Sequence, residues 1–385
     1  MKKSLLALAA MGAFVGAAQA QSSVTVYGVF DGGLNNKVVD TKTSSTATAT
    51  SVSNNDMSGN QAASSRIGFR GVEDLGGGLS ATFNLELGFD PGSGTLFTTT
   101  VAQGNSQSDG VRTSVVGLTS KQFGTVNIGR QLSGIHGVVA GNVFGGNNMI
   151  GDITYSSYTN SNGNAARISN QVTRFEGASY TTPTLMGLNA VVDVGSNRAT
   201  GANTAATNGQ TYVNTLSQQD SNQGFRVNYT FKEFGVSAAT SKVSTTNGNV
   251  STVTGAVTDI TINALQARYR GHGLVAEVTF ANNKSEIASV QQYRNNAIKY
   301  SASYQVTPTI TPFVQYGSGI SEAAKALSTT AVTSNATTGY QAGVTYGMSK
   351  RTNLYAAYGL QKSENKSTTA SVEGKEIGVG ILHTF

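Results

Sequence analysis

Short stretches of the chain alternate strictly between apolar and polar residues. In LSATFNLELGF, the apolar face runs from Leu79 to Phe89, and the opposite face carries polar side chains that include Asn84 and Glu86. The segments VTVYGVFDGG and SSRIGFRG repeat this pattern. Because successive side chains of a strand point to opposite faces of a sheet, a period of two predicts β-strands with one apolar and one polar face.

The predicted strands come in pairs joined by tight turns. Seven turn segments contain the glycine, proline or aspartate that hairpins favour, and they read EDLGGG, SKQFG, TPTLMG, FKEFG, RGHG, VTPTITP and GMSKR. Eight long polar connections alternate with them, at 35–63, 90–109, 132–171, 196–222, 243–259, 283–295, 318–335 and 362–374. Fifteen connections predict sixteen strands, with both chain ends on the side of the short turns.

Residues 1–20 have the pattern of a secretory signal peptide. Two lysines precede an apolar stretch, and a small-residue motif at its end predicts cleavage before Gln21. The apolar stretch is shorter than the roughly 20 residues that a membrane-spanning helix needs. We therefore expect residues 21–385 to form a single exported domain.

The composition excludes several classes of protein. Hydrophobic residues make up 38% and charged residues 12% of the chain, which is low for a soluble enzyme with a conventional core. The 15 Tyr and 15 Phe are too many for a disordered chain. Without cysteine, an exported fold cannot rely on disulfides. The net charge of +6 falls to about +4 without the two signal-peptide lysines, which is too small to indicate a nucleic-acid partner.

Short turns at one end, long loops at the other and an even number of alternating strands are typical of a transmembrane β-barrel. In a bilayer, every backbone polar group needs an internal hydrogen-bond partner, which only a helix or a closed sheet provides. We therefore predict an all-β fold, a 16-stranded antiparallel barrel with its apolar faces toward lipid. A barrel of this size encloses a water-filled lumen, whereas one of about eight strands is filled by its own side chains.

The chain resembles the trimeric general porins of Gram-negative outer membranes, and among them the β-proteobacterial branch. The resemblance covers the whole mature chain and rests on SSVTVYGVFDGGL, SSRIGFRGVEDLGGGLSATFNLELGF, FGTVNIGRQLSG, the strand pair around SYTTPTLMGL, and GKEIGVGILHTF. It implies a homotrimeric outer-membrane channel for passive diffusion of small hydrophilic solutes, in contact with membrane lipid and lipopolysaccharide. It also implies that the barrel assembly machinery recognises the last strand through Phe385, together with His383 and Ile381.

The longest connection, residues 132–171, is the third long loop. In the family that the chain resembles, this loop folds into the lumen, narrows it, and sets acidic residues opposite arginines. The resemblance places the loop side of the constriction at Val143, Phe144, Gly145, Gly146, Asn147 and Asp152. Val143 and Asn147 stand where many relatives carry Glu and Asp, and Asp152 is the only carboxylate between residues 132 and 166. We therefore expect a weak acidic side.

The resemblance places the basic side of the constriction on the barrel wall, at Arg66, Arg70, Arg112, Arg130 and Arg174. Residues 66 and 70 are four apart and share the polar face of one strand. Fixed positive charge in a narrow channel raises the local concentration of anions. We therefore predict weak to moderate anion selectivity.

Arg130 fits the basic wall less well than the other arginines. It has the same strand parity as Val126 and Ile128, which we expect to face lipid. A bulge, or the exit of the strand from the membrane, would be needed to bring Arg130 into the lumen.

Three other classes of protein are weighed against the channel. An outer-membrane enzyme would need a nucleophile and a base, but the mature chain has only His136, His272 and His383 and no cysteine. We therefore expect no enzymatic activity, and we interpret His136 as a hydrogen-bonding residue of the third loop. A secreted adhesin or β-solenoid would show a repeat of 20 to 50 residues, and a sugar-specific channel would show a run of lumen aromatics; neither pattern is evident. Metal-ligand spacing is also missing, so no cofactor is expected.

Overall fold

A computed structural model of the chain describes residues 23–59, 61–96, 110–141, 143–144, 149–153, 174–198, 206–207, 210–211, 219–246, 257–287, 290–323 and 334–385. The predicted signal peptide at residues 1–20 lies outside the described residues. So do Gly145, Gly146 and Asn147 of the predicted constriction.

The described chain is built almost entirely of antiparallel strands. They are β1 (Ser23–Lys42), β2 (Thr50–Gly59), β3 (Arg66–Gly76), β4 (Leu79–Asp90), β5 (Thr95–Leu96), β6 (Val111–Ser120), β7 (Gly124–Leu132), β8 (Arg174–Thr181), β9 (Leu188–Arg198), β10 (Ala206–Thr207), β11 (Gln210–Thr211), β12 (Gln219–Phe231), β13 (Phe234–Thr246), β14 (Val257–Gly271), β15 (Leu274–Ile287), β16 (Val290–Tyr304), β17 (Ile310–Ala323), β18 (Ser334–Gly347), β19 (Thr352–Asn365) and β20 (Ser371–Thr384). One short helix, α1 (His136–Val139), follows β7. In the described part of the chain, no helix is long and apolar enough to span a membrane.

Sixteen of these strands form one closed circuit, which confirms the predicted fold class. Each pairs with the next, and β20 pairs with β1 to close the sheet. Of the other four, β2 and β5 extend hairpins of this sheet, whereas β10 and β11 pair only with each other.

All seven predicted short turns connect consecutive strands of the barrel. In the turn between β3 and β4, Gly77 and Gly78 have φ angles of 60° and 80°. Glycine adopts this left-handed conformation without steric cost, so EDLGGG is suited to a tight reversal.

Most of the predicted long connections are shorter in the structure, because strands continue into them, whereas those predicted at 90–109 and 132–171 keep about their predicted length. Strand β15 runs to Ile287 and β16 starts at Val290, both within the connection predicted at 283–295. The connection predicted at 35–63 contains most of the β1–β2 hairpin. These extensions are mostly polar and lack a regular hydrophobic alternation, but a neighbouring strand still supplies hydrogen-bond partners for their backbone groups. The predicted extent of these loops was therefore wrong.

The two faces of the barrel differ as predicted. Outward side chains such as Val116 and Ile128 are about 60% exposed, as expected for residues that face lipid. Near the short turns, the exposed outward residues are largely aromatic, and they include Phe123, Tyr180, Phe231, Phe234, Tyr304 and Tyr346. Aromatic girdles of this kind mark the membrane interface of transmembrane barrels.

The C-terminal residue takes part in closing the barrel. The Phe385 N–H donates to the Gly28 carbonyl at 3.1 Å, and the Phe385 carbonyl accepts from the Gly28 N–H at 3.0 Å. The Phe385 ring lies over Gly28 so closely that a Cβ atom there would be 2.3 Å from the ring. His383 lies 3.0 Å from the Thr352 hydroxyl, and Ile381 is exposed on the same outward face.

We expect Gly28→Val to lower the yield of folded barrel, because the valine side chain would clash with the Phe385 ring and with the Arg66 carbonyl of the neighbouring strand β3. Forcing extra carbon atoms into a filled site typically costs about 1–3 kcal/mol. The folded fraction is measured by the heat-dependent shift in gel mobility after refolding. Gly32→Val is the matched control, because Gly32 lies on the same strand and a Cβ there meets nothing closer than 3.4 Å. Equal folded fractions for the two variants would contradict this role of Gly28.

Candidate functional site

The third loop enters the lumen and packs against the inner wall. Helix α1 contacts β13, β14 and β15. Ile135, Val138 and Val139 are buried in an apolar cluster with wall residues such as Ile262 and Ala264. A patch of small apolar residues on the inner face therefore holds the first part of the loop.

The later part of the loop is held by a second apolar cluster. Phe144 stacks on Phe313, with ring centroids 4.4 Å apart, and its ring meets that of Tyr355 edge-on at 5.5 Å. Val143 packs against the same cluster. These contacts turn Val143 and Phe144 toward the wall.

Close backbone contacts also join the loop to the wall. A Cβ atom on Gly359 would be 1.8 Å from the Ile150 carbonyl oxygen, so only glycine leaves room for the loop there. The Gln341 side chain donates to the Met149 carbonyl at 3.0 Å, and Glu376 accepts from the Ile150 N–H at 2.9 Å.

A buried ion pair fixes the loop to β16. The Lys299 ammonium donates to the Gly141 carbonyl at 2.6 Å and to the Asp152 carboxylate at 3.2 Å. The side chains of Lys299 and Asp152 are 1% and 0% exposed. Asp152 therefore faces the wall, and its charge is compensated there rather than presented to the lumen.

On the wall that the loop leaves uncovered, two of the predicted arginines meet one carboxylate. Arg66 Nε lies 3.2 Å from Glu86 Oε2, and Arg112 Nε lies 2.8 Å from Glu86 Oε1. These residues come from β3, β6 and β4, which are neighbours in the barrel. The Tyr27 hydroxyl donates to Asn84 at 2.8 Å and also reaches Glu86. Glu86 thus orients both arginines and offsets part of their charge.

Sequence reasoning placed Glu86 on the polar face but did not identify it as a site residue. The available signal was its parity, which puts it on the lumen side of β4. The register between β3, β4 and β6 decides which lumen residues meet, and alternation does not reveal that register.

Arg70 lies in the lumen, below Arg66 on β3 toward the short turns. Its guanidinium carbon is 5.2 Å from the centroid of the Tyr27 ring, a cation–π contact. Among the described residues, no carboxylate lies within ion-pair distance of Arg70. Its charge is therefore available to ions in the lumen.

Arg174 is the first residue of β8, directly after the third loop, and is 7% exposed. Burial, and the nearby Arg174, Arg112 and Arg226, lower the pKa of His136 in the loop to about 3. The imidazole is therefore neutral at physiological pH and adds no charge to this region.

The structure does not bring Arg130 to the other arginines. Arg130 pairs in register with Glu176, and their side chains are 3.8 Å apart. Its Nε donates to the Val111 carbonyl at 2.8 Å. Val126 and Ile128, which have the same parity, are exposed on the outward face. The strand continues without a register shift at this point, so Arg130 lies on the outward face and its placement in the constriction is corrected.

The described residues that line the lumen thus carry an excess of positive charge near the third loop. Of the predicted wall residues, Arg66, Arg70 and Arg112 lie on the inner wall, where Glu86 offsets only part of their charge, and Arg174 is buried close enough to His136 to lower its pKa. Since the carboxylate of Asp152 is paired with Lys299, the loop does not restore the balance. Such a site concentrates anions from water.

Comparison with known proteins agrees with this geometry. A family model described as Gram-negative porin matches residues 7–366. An outer membrane porin protein of Bordetella pertussis is 39% identical over 143 residues, which cover 34% of this chain and 34% of that protein. Outer membrane porin protein 32 of Delftia acidovorans is 40% identical over 141 residues, which cover 34% of this chain and 32% of that protein. The matched region thus spans about a third of the length of each of these two relatives.

Solved structures resemble the whole barrel. An anion-selective porin from Comamonas acidovorans matches with a TM-score of 0.65 and 22% identity, over 95% of this chain and 100% of that chain. The trimer form of OmpT from Vibrio cholerae matches with a TM-score of 0.59 and 16% identity, over 94% of this chain and 99% of that chain. At this level of identity, the likeness concerns the fold.

Proposed function

The chain belongs to the Gram-negative porin family, and from this premise we propose that it forms a water-filled outer-membrane channel. Small hydrophilic solutes and ions would diffuse through it passively, without catalysis. The observation that carries the proposal is the closed barrel whose polar inner face is narrowed by a third loop fixed to the wall.

The proposed channel prefers anions weakly to moderately. Support comes from the excess of arginine over accessible carboxylate on the wall and from the compensation of Asp152 by Lys299. The similar Comamonas acidovorans porin is described as anion-selective, which agrees with the proposal.

We expect the purified protein to conduct ions in planar lipid bilayers, with a reversal potential in a KCl gradient that indicates a preference for chloride. The preference should weaken at high salt, because screening shortens the reach of fixed charge to about 3 Å at 1 M. A reversal potential that indicates a preference for K⁺ would contradict the proposed selectivity. A protein that inserts but makes no channel would contradict the proposed function.

The proposed assembly is a homotrimer in the outer membrane. One similar solved structure is described as a trimer form. Residues 1–20 would be removed on export, and residues 21–385 would form the barrel domain, in contact with lipid and lipopolysaccharide. The outward position of Ile381, His383 and Phe385 on the last strand agrees with their recognition by the barrel assembly machinery. Gel migration before and after heating, compared with mass standards, tests the trimer.

A further inference from the structure

An apolar groove crosses the outward face of the barrel between β13 and β19. It has a volume of about 860 Å³, and its surface is almost entirely apolar. Small side chains form the floor, and they are in-register partners on four neighbouring strands: Ala276 of β15, Ala302 of β16, Val314 of β17 and Ala342 of β18. The depression is therefore part of the sheet itself and does not depend on a loop.

Aromatic rings form the walls of this groove. Toward the long loops, Tyr300, Tyr316 and Tyr340 are direct partners on three neighbouring strands, and successive ring centroids are 6.5 and 5.0 Å apart. Toward the short turns, the exposed Tyr304 lies on the same strand as Tyr300. Since a strand rises about 3.3 Å per residue, these two tyrosines are about 13 Å apart. The groove is therefore narrow.

The groove leads from the short turns toward the middle of the barrel. At one end, Phe234 and Tyr269 are direct partners with ring centroids 5.1 Å apart, and Phe234 is the first residue of β13. At the other end, Tyr358 pairs with Ala342 and lies in the middle of β19. Because an aromatic girdle marks the membrane interface, the end at Phe234 opens at the level of the lipid headgroups.

A lysine lies at this end of the groove. Lys232, in the turn between β12 and β13, is exposed, and its ammonium is 5.5 Å from the centroid of the Phe231 ring. Within the part of the chain that the structure describes, no carboxylate forms an ion pair with Lys232. A lysine near the membrane surface attracts anionic lipid headgroups, so its charge is available to a lipid whose chain enters the groove.

We propose that this groove binds an anionic phospholipid of the leaflet on the short-turn side, with an acyl chain along the groove and the phosphate near Lys232. The inference rests on the proposed outer-membrane location, because a bilayer supplies the ligand. A second barrel is the alternative occupant. A narrow groove whose floor lies below rows of rings suits a slender hydrocarbon chain, whereas the convex wall of another barrel would rest on the rings.

The test uses the full-length protein, freed of lipid in detergent and mixed with equal amounts of phosphatidylglycerol and phosphatidylcholine that carry the same acyl chains. Native mass spectrometry counts the lipids retained per chain. We expect preferential, saturable retention of phosphatidylglycerol. Ala302→Phe places a ring on the groove floor and should abolish this retention. Ala238→Phe is the matched control, because Ala238 is exposed on the outward face of β13 but lies outside the groove lining.

A second pair of variants tests the headgroup contact. Lys232→Gln should lower the ratio of retained phosphatidylglycerol to phosphatidylcholine about fivefold, as expected when one lysine near an anionic lipid is lost. Lys121→Gln removes the same charge from an exposed position in another short turn, between β6 and β7, and should leave the ratio unchanged. The heat-dependent gel shift verifies that each variant is folded.

The proposal is overturned if the unmodified protein retains both lipids equally, if Ala302→Phe and Ala238→Phe retain phosphatidylglycerol alike, or if Lys121→Gln changes the ratio as much as Lys232→Gln. Loss of the oligomer in Ala302→Phe alone would assign the groove to a contact between barrels and would also overturn it. A protein that conducts in planar bilayers but gives one of these results loses only the lipid site, whereas failure to conduct removes the channel function.

Discussion

Replacing Arg66 and Arg70 together by glutamate should convert an anion-preferring channel into a cation-preferring one. Two positive charges become two negative charges on the inner wall of β3. At an effective dielectric constant of about 20, two unit charges ~12 Å apart interact by ~1.4 kcal/mol, which corresponds to a tenfold change in ion occupancy. The permeability ratio should therefore change by about tenfold or more, measured as the reversal potential in a KCl gradient at low salt.

Three further variants distinguish the effect that the position of a charge has on ion selectivity from the effect of the total charge of the protein. Arg66→Gln with Arg70→Gln should give an intermediate reversal potential. Glu86→Gln removes the carboxylate shared by Arg66 and Arg112 and should increase the preference for anions. Arg130→Gln removes a charge from the outward face and should leave the reversal potential unchanged. An unchanged potential in the glutamate double variant would exclude Arg66 and Arg70 from the constriction.

Lys299→Met should loosen the third loop, which its apolar clusters and the hydrogen bonds to Gln341 and Glu376 still hold in part. The substitution leaves Asp152 buried without its cation and removes the hydrogen bond to the Gly141 carbonyl. Breaking a buried ion pair on one side typically costs about 3–5 kcal/mol. We expect frequent transitions between conductance levels in single-channel records, and loss of the folded barrel at a lower temperature in the heat-dependent gel shift.

Removing both charges of this pair is the control. In the variant that combines Lys299→Met with Asp152→Asn, no uncompensated charge remains buried, so much of the lost stability should return. Steady single-channel currents in Lys299→Met would show that the ion pair does not hold the loop. Equal instability in the single and double variants would show that the carbonyl contacts of Lys299 matter more than the charge of Asp152.

Alternation along the chain predicted the number of strands, their lumen and lipid faces and all seven short turns. It predicted the ends of the strands less well, because β15 and β16 continue as polar ladders outside the region where one face must be apolar. The same limit applies to the β1–β2 hairpin, in which Lys37 pairs with Asn54. Hydrophobic alternation marks the part of a strand that contacts lipid, whereas backbone hydrogen bonding between strands needs only a neighbouring strand.

The candidate site shows more clearly which features the sequence predicts and which it does not. Parity alone placed Arg66 and Arg70 in the lumen and gave the correct warning about Arg130, because the direction of a strand side chain depends on local backbone geometry. The resemblance indicated a loop inside the barrel, and the pattern of residues did not show what holds it there.

The sequence by itself therefore determined the closed barrel and the face that each strand residue takes, since both follow from a period of two and from the need to pair every backbone group in a bilayer. The tertiary structure alone decided which charges meet. Glu86 and Arg112 are 26 positions apart, and Lys299 and Asp152 are 147 positions apart. Their pairing depends on strand register and on the path of the third loop, and neither leaves a periodic signal in the chain.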